Sequence, residues 1–152
     1  MNEDQLEKLC LDWLRDNSWE VENGPEISPD SDNPKRSDYR EVILKRYLQE
    51  SLEKINPHLP VNAVEQAIAL VLKSESLDLI TNNRAFHRLL LEGVPVEYRK
   101  DDEIVQDLAF LIDFENIANN RFLAVNQFTF KEQKDRAASM WSALLTACPL
   151  QC

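Results

Sequence analysis

The hydrophobic period of this chain changes at Gly93, and that change limits the fold more than any other feature. Before it, apolar residues recur three and four apart, the spacing of helices with one buried face. After it they come in short runs and alternate in twos, the spacing of strands. Helices first and strands later predict an α+β or mixed α/β domain rather than a bundle. At 152 residues the chain suits one domain with one core. No internal repeat is visible.

Leu6, Leu9, Cys10, Trp13 and Leu14 predict an amphipathic helix over residues 5–17, and residues 19–21 a short strand after it. Residues 23–37 hold Pro25, Pro29 and Pro34 among Gly, Asp, Asn and Ser, and read as a long loop. Leu44, Leu48, Leu52 and Ile55 predict a helix over 39–55, stopped by Asn56-Pro57. Asn62 with Glu65 has the spacing of a capping box, opening a helix marked by Val64, Ala67, Ile68, Val71 and Leu72. A further helix is expected over 82–91, with Gly93 as its C-terminal cap. Strands are expected over 94–99, 108–112 and 122–130, the last with Phe122, Ala124, Asn126, Phe128 and Phe130 on one side.

Composition narrows the function classes. Hydrophobic residues at 43% and charged residues at 29% are ordinary for a globular protein. No apolar run is long enough to span a bilayer, and the acidic start Met-Asn-Glu-Asp-Gln has no signal core, so a cytoplasmic protein without membrane contact is expected. A net charge of −10 argues against autonomous nucleic-acid binding, because phosphate contacts need a basic face. It leaves nuclease chemistry open, since carboxylates hold hard cations. With only two glycines and no P-loop, the chain builds no glycine-rich phosphate cradle. Cys10, Cys148 and Cys152 lack the spacing of a zinc site or disulfide framework, and His58 and His87 are isolated.

The candidate chemistry lies in carboxylates. Glu3, Asp4, Glu7 and Asp12 fall on or near the first helix, with Glu7 beside the apolar stripe. Asp113 and Glu115 follow an apolar run, where two acids can hold Mg²⁺. For each the alternative is a solvated charge. Asn119, Asn120, Asn126 and Gln127 are amides near the last strand and suit structural hydrogen bonding better than ligand binding.

Several blocks together resemble one family. They are Glu22-Asn-Gly-Pro-Glu-Ile27, Tyr39-Arg-Glu-Val42, Asn56-Pro-His-Leu-Pro60, Asn82-Asn-Arg-Ala-Phe-His-Arg-Leu-Leu90, Glu92-Gly-Val-Pro-Val-Glu-Tyr-Arg99, Leu111-Ile-Asp-Phe-Glu-Asn116 and Phe122-Leu-Ala-Val-Asn-Gln-Phe128. In this order they resemble the N-terminal region of the R (restriction and motor) subunit of type I restriction–modification enzymes. The resemblance implies a restriction-endonuclease-like fold with a PD-(D/E)xK site: a helix carboxylate, a strand aspartate and a Glu-x-Lys. Two carboxylates hold Mg²⁺, which activates water, and the lysine stabilises charge. Glu7 takes the position of the helix carboxylate, as catalytic and metal-binding residue. The whole subunit would cleave DNA with Mg²⁺, translocate it with ATP, and join methylation and specificity subunits.

After Asn126-Gln-Phe128 the family runs on to Arg-Arg-(Pro or Ile)-Asp-Val-Val, a Phe-Val-Asn-Gly-Leu-Pro-Leu turn and Glu-Leu-Lys. Residues 135–152 read otherwise, and Ala137, Met140, Trp141, Leu144 and Leu145 there fall at helical spacing. Taking the third base of each codon with the first two of the next gives a different result. Met140–Trp141 can only be ATG-TGG and yields valine. The shifted run from Arg136 permits Arg-Arg-Ile-Asp-Val-Val-Cys-Phe-Val-Asn-Gly-Leu-Pro-Leu-Ala-Val, the missing family segment. The expectation is an incomplete nuclease domain over 1–134, then a frameshifted tail over 135–152, with an uncovered sheet edge. Such a chain is expected to be inactive and to need neither Mg²⁺ nor ATP. The competing expectation is a stand-alone acidic protein-interaction module; an acidic DNA mimic rests on charge alone.

Overall fold

A computed structural model describes residues 2–73 and 78–131, together with the backbone of 137–140 and 143–146. The chain is α+β and folds as two compact units, one of Met1–Leu44 with Arg121–Cys152, the other of Lys45–Asn120.

The first unit opens with α1 (Glu3–Asp16). Its capping box is formed by Asn2 and Gln5: each side-chain oxygen accepts the other's backbone N–H at 3.0 Å. Asn17 and Ser18 (φ 66°) turn the chain into β1 (Glu20–Asn23). A 3₁₀ turn follows over Gly24–Ile27. β1 pairs in parallel with β4 (Phe122–Asn126), Glu20 opposite Leu123 and Asn23 opposite Asn126. Leu123, Ala124 and Val125 are all buried, so β4 is covered on both faces instead of alternating. Trp19 packs on Phe122 with ring centroids 5.3 Å apart, and Arg121 pairs with Glu20 at 2.7 Å.

The expected strand over 122–130 is broken. Gln127 has φ 50°, and β5 (Phe128–Lys131) leaves the sheet of β4. The helical spacing in the tail, the alternative to the frameshifted reading, is not realised where the backbone is described. Residues Ala137–Met140 (β6) pair with β5, and Ala143–Thr146 (β7) pair antiparallel with β4. The sheet order β1-β4-β7 therefore pairs β4 on both sides. Trp141 lies outside the described residues.

The second unit contains α2 (Lys45–Ile55), α3 (Val61–Leu72), α4 (Leu79–Glu92), β2 (Val94–Lys100) and β3 (Glu103–Ala109). Tyr47, Leu48, Leu52, Ala63, Val64, Ala67, Val94 and Val96 are buried. β2 and β3 form a hairpin through Asp101 and Asp102, both at positive φ (51° and 64°) as a two-residue type I′ turn requires. Gln66 on α3 seals the outer edge of β2. Its amide donates to Glu97 O at 2.8 Å and accepts from Glu97 N at 3.1 Å.

Four boundaries differ from expectation for local reasons. α2 begins at Lys45 and not at residue 39, because the carbonyl of Tyr39 accepts from Lys131 N and that of Glu41 from Arg36. α3 is capped by Pro60, whose carbonyl accepts from Ala63 and Val64, leaving Asn62 inside the first turn. α4 starts earlier than residue 82, on Asp78, whose carboxylate accepts from Ile80 N and Thr81 N. β3 ends at Ala109 because Asn56 captures the next residue: Phe110 N donates to Asn56 Oδ1 at 2.8 Å and Asn56 Nδ2 donates to Phe110 O at 2.9 Å. Gly93 caps α4 at φ 88°, as expected.

Candidate functional site

The helix carboxylate meets the end of the central strand in the first unit. Glu7 lies one turn into α1 and is half-buried. Asn126 is the last residue of β4, and its Nδ2 donates to Glu7 Oε1 at 2.6 Å. Such a short bond marks a charge-assisted contact. β1 lies alongside, with Asn23 in register with Asn126. Asn23 Oδ1 is buried and accepts no hydrogen bond among the described residues.

The chain reverses directly after both strands, and the two turns touch. A Cβ on Gly24 would lie 2.4 Å from Gln127 O and 2.7 Å from Asn126 O. Only glycine admits that approach, so the 3₁₀ turn after β1 sits on the kink after β4. Arg36, from the long loop, closes the other side. Its guanidinium lies 3.9 Å from the ring centre of Phe128, and its Nη2 donates to Thr129 O at 2.5 Å. Burial of that guanidinium lowers its pKa, opposed by Tyr39, Glu41 and Asp38.

A cleft of about 540 Å³ opens at these strand ends. Glu22, Glu26, Asn23 and Asn126 bring oxygen donors to it, and Arg15 and Lys35 bring positive charge. Among the described residues, no three His, Cys, Asp or Glu side chains stand close enough to share a metal ion. Glu7 has one oxygen engaged by an amide. The described side chains do not complete the Mg²⁺ centre that the resemblance implies.

The second pair of candidate acids has another task. Asp113 Oδ1 accepts from Glu115 N at 3.0 Å and Asn116 N at 2.8 Å, and its Oδ2 accepts from Asn119 Nδ2 at 2.8 Å. Asn120 returns the clamp: its Oδ1 accepts from Asp113 N and its Nδ2 donates to Asp113 O, both at 2.8 Å. Asp113 thus locks the loop before β4, and these bonds hold its pKa below the usual carboxylate value, Asn116 contributing most. Asn119 and Asn120 are structural, as their residue type suggested. His58 lies on the surface 3.5 Å from Asp107, His87 and Cys10 are exposed, and none joins the cleft.

Sequence reasoning singled out Glu7, which the structure ties to Asn126, and did not single out Glu22, Asn23 and Arg36. The Glu22–Ile27 block was the signal for the first two, since a glycine between polar residues at a strand end marks a close backbone approach. Arg36 sits in a polar loop with no pattern to single it out.

Taken together, fold and site define an α+β domain in which a first-helix carboxylate is tied to the end of a buried parallel strand. Its sequence relatives give the family. The profile described as Type I restriction enzyme R protein N terminus matches residues 1–138, and the chain belongs to that family. It is 36% identical over 134 residues to the type I restriction enzyme HindI endonuclease subunit of Haemophilus influenzae, covering 88% of this chain and 13% of the relative. It is 30% identical over 129 residues to a Methanocaldococcus jannaschii protein assigned as the MjaIXP endonuclease subunit of a type I restriction enzyme, covering 84% and 12%. The chain thus spans about an eighth of the length of these relatives. No helix among the described residues is long and apolar enough to cross a membrane.

Proposed function

We propose that this chain supplies the N-terminal part of the nuclease domain of a type I restriction endonuclease R subunit and is by itself catalytically inactive. The contact between Glu7 and Asn126 supports this reading most strongly. It sets the helix carboxylate against the Asn-Gln-Phe strand end, beside a cleft that has oxygen donors but no acidic trio among the described residues. The whole subunit cleaves DNA with Mg²⁺, moves it with ATP and assembles with methylation and specificity subunits in the cytoplasm. Glu7 is its helix carboxylate and contributes to holding the metal only when the strand aspartate and the Glu-x-Lys stand beside it. Residues 1–134 are the family segment, and 135–152 are the same gene read out of frame. With a net charge of −10 the chain alone binds DNA weakly or not at all, and it needs no cofactor.

Incubation of the purified chain with supercoiled plasmid and Mg²⁺ tests the inactivity. The expected result is no nicking above a buffer control. Nicking that disappears in Glu7→Gln would overturn it.

A second reading, a stand-alone acidic interaction module, is favoured by one observation: α1 buries none of its residues completely. A cooperative thermal melt by a soluble monomer would support it, whereas aggregation or a broad melt supports a broken domain.

A further inference from the structure

We propose that the outer face of α1 is a docking surface for a basic amphipathic segment of a partner protein. Leu6, Leu9, Cys10 and Trp13 follow the i, i+3, i+4, i+7 rule and form one stripe along the helix. The stripe is uncovered: Leu6, Leu9 and Trp13 are 46%, 58% and 64% exposed, and Cys10 is an exposed free thiol. Lone exposed apolar residues are ordinary, but a contiguous stripe ending in a tryptophan marks an interaction site.

The helix leaves its other side to the fold. Glu7, Leu11 and Leu14 are half-buried, and Glu7 is tied to Asn126. The stripe therefore adds nothing to the packing of this unit that a partner would have to displace.

Charge selects the occupant. Glu3 lies one turn before Leu6, and Asp16 one turn after Trp13. Asp12 turns away from the stripe to pair with Arg15 at 2.7 Å, so Glu3 and Asp16 frame the stripe. At 100° per residue Lys8 and Arg15 fall on the side away from the stripe. An apolar surface framed by carboxylates fits a segment whose Leu or Phe residues are flanked by Lys or Arg. A second copy of this chain is disfavoured, since it would bring the same carboxylates and another ten negative charges. An anionic bilayer is disfavoured for the same reason.

The test uses the whole purified chain and two fluorescent synthetic peptides. One is an amphipathic helix of Leu and Lys; the other is its analogue with Glu for each Lys. Anisotropy is followed at low and high salt. The Lys peptide is expected to bind, more weakly at high salt, and the Glu peptide not to bind. Leu9→Asp should weaken binding at least about tenfold although it adds a negative charge, as loss of a central apolar contact does. Trp13→Gln serves as a second variant on the same stripe, and an unchanged circular dichroism melt shows that each variant is folded. Failure of the Lys peptide to bind overturns the proposal. So does equal binding to the Leu9→Asp chain, which would show charge attraction without a docking face. Self-association in sedimentation that Leu9→Asp abolishes would assign the stripe to a second copy and equally overturn it.

Discussion

Asn126, the last residue of β4, holds Glu7 of α1 through a 2.6 Å hydrogen bond from its amide nitrogen to the carboxylate. The bond joins residues 119 positions apart and ties the helix to the strand end at which the cleft opens. Replacing Asn126 by Ala removes a charge-assisted bond in a half-exposed setting, and a loss of about 1 kcal/mol is expected. Urea unfolding of the two proteins measures it. An unchanged midpoint would show that the contact contributes no stability.

Gly24 gives a larger and purely steric effect. A methyl group there meets Gln127 O at 2.4 Å and Asn126 O at 2.7 Å, and both obstacles are backbone. Gly24→Ala is expected to cost about 2–3 kcal/mol by overpacking. At Gly93 the reason differs: φ is 88° with ψ 166°, a region essentially reserved for glycine, and an added Cβ would also lie 3.3 Å from Phe110, so Gly93→Ala is expected to cost about 1–3 kcal/mol, mostly backbone strain. Thermal melts of the two variants should both fall below that of the parent chain, and an unchanged melt at either would contradict the reason given for that glycine.

Asn56 is 1% exposed and supplies the partners of both backbone groups of Phe110. Asn56→Leu leaves that N–H and C=O unsatisfied, and about 2–4 kcal/mol of stability is expected to go with them. Amide exchange at Phe110 should quicken in the variant if it still folds.

These positions also show why only part of the fold was legible in the sequence. α1, α3 and the end of α4 follow local apolar spacing, which a sequence displays, although the cap of α3 falls on Pro60 and not on Asn62. The start of α2 depends on Tyr39 O being taken by Lys131 N, and the kink at Gln127 on contact with Gly24, neither of which any local pattern encodes. The site follows the same division. Glu7 was singled out only through the family resemblance. Its partner Asn126 read only as one amide among several, and Asp113 passed for a metal candidate because a sequence does not reveal that its oxygens are already taken by Glu115, Asn116 and Asn119.

Acid should loosen two places. The carboxylates of Asp113 and Asp78 both have pKa values lowered from 3.8, Asp113 by Asn116 and Asn119, Asp78 by Thr81. Folded values below unfolded ones give stability that is full above the unfolded pKa and is lost as pH falls through the folded one. Titration downward from about pH 4 should therefore fray the N-terminus of α4 and the 113–120 loop. Asp113→Asn should remove the part of the acid dependence belonging to that loop. NMR amide shifts of Thr81 and Asn116 report both events, and shifts that stay constant through this range would contradict the assignment.

The central proposal is that this chain is the N-terminal part of a type I R subunit and that its residues after about Asp135 are read out of frame. Sequencing the gene across the Asp135 codon and onward tests it most directly. The account predicts that adding or removing a single base restores a frame reading Asp-Val-Val, Phe-Val-Asn-Gly-Leu-Pro-Leu and Glu-Leu-Lys. A frame that reads as given, with no such segment in either alternative frame downstream, would contradict it.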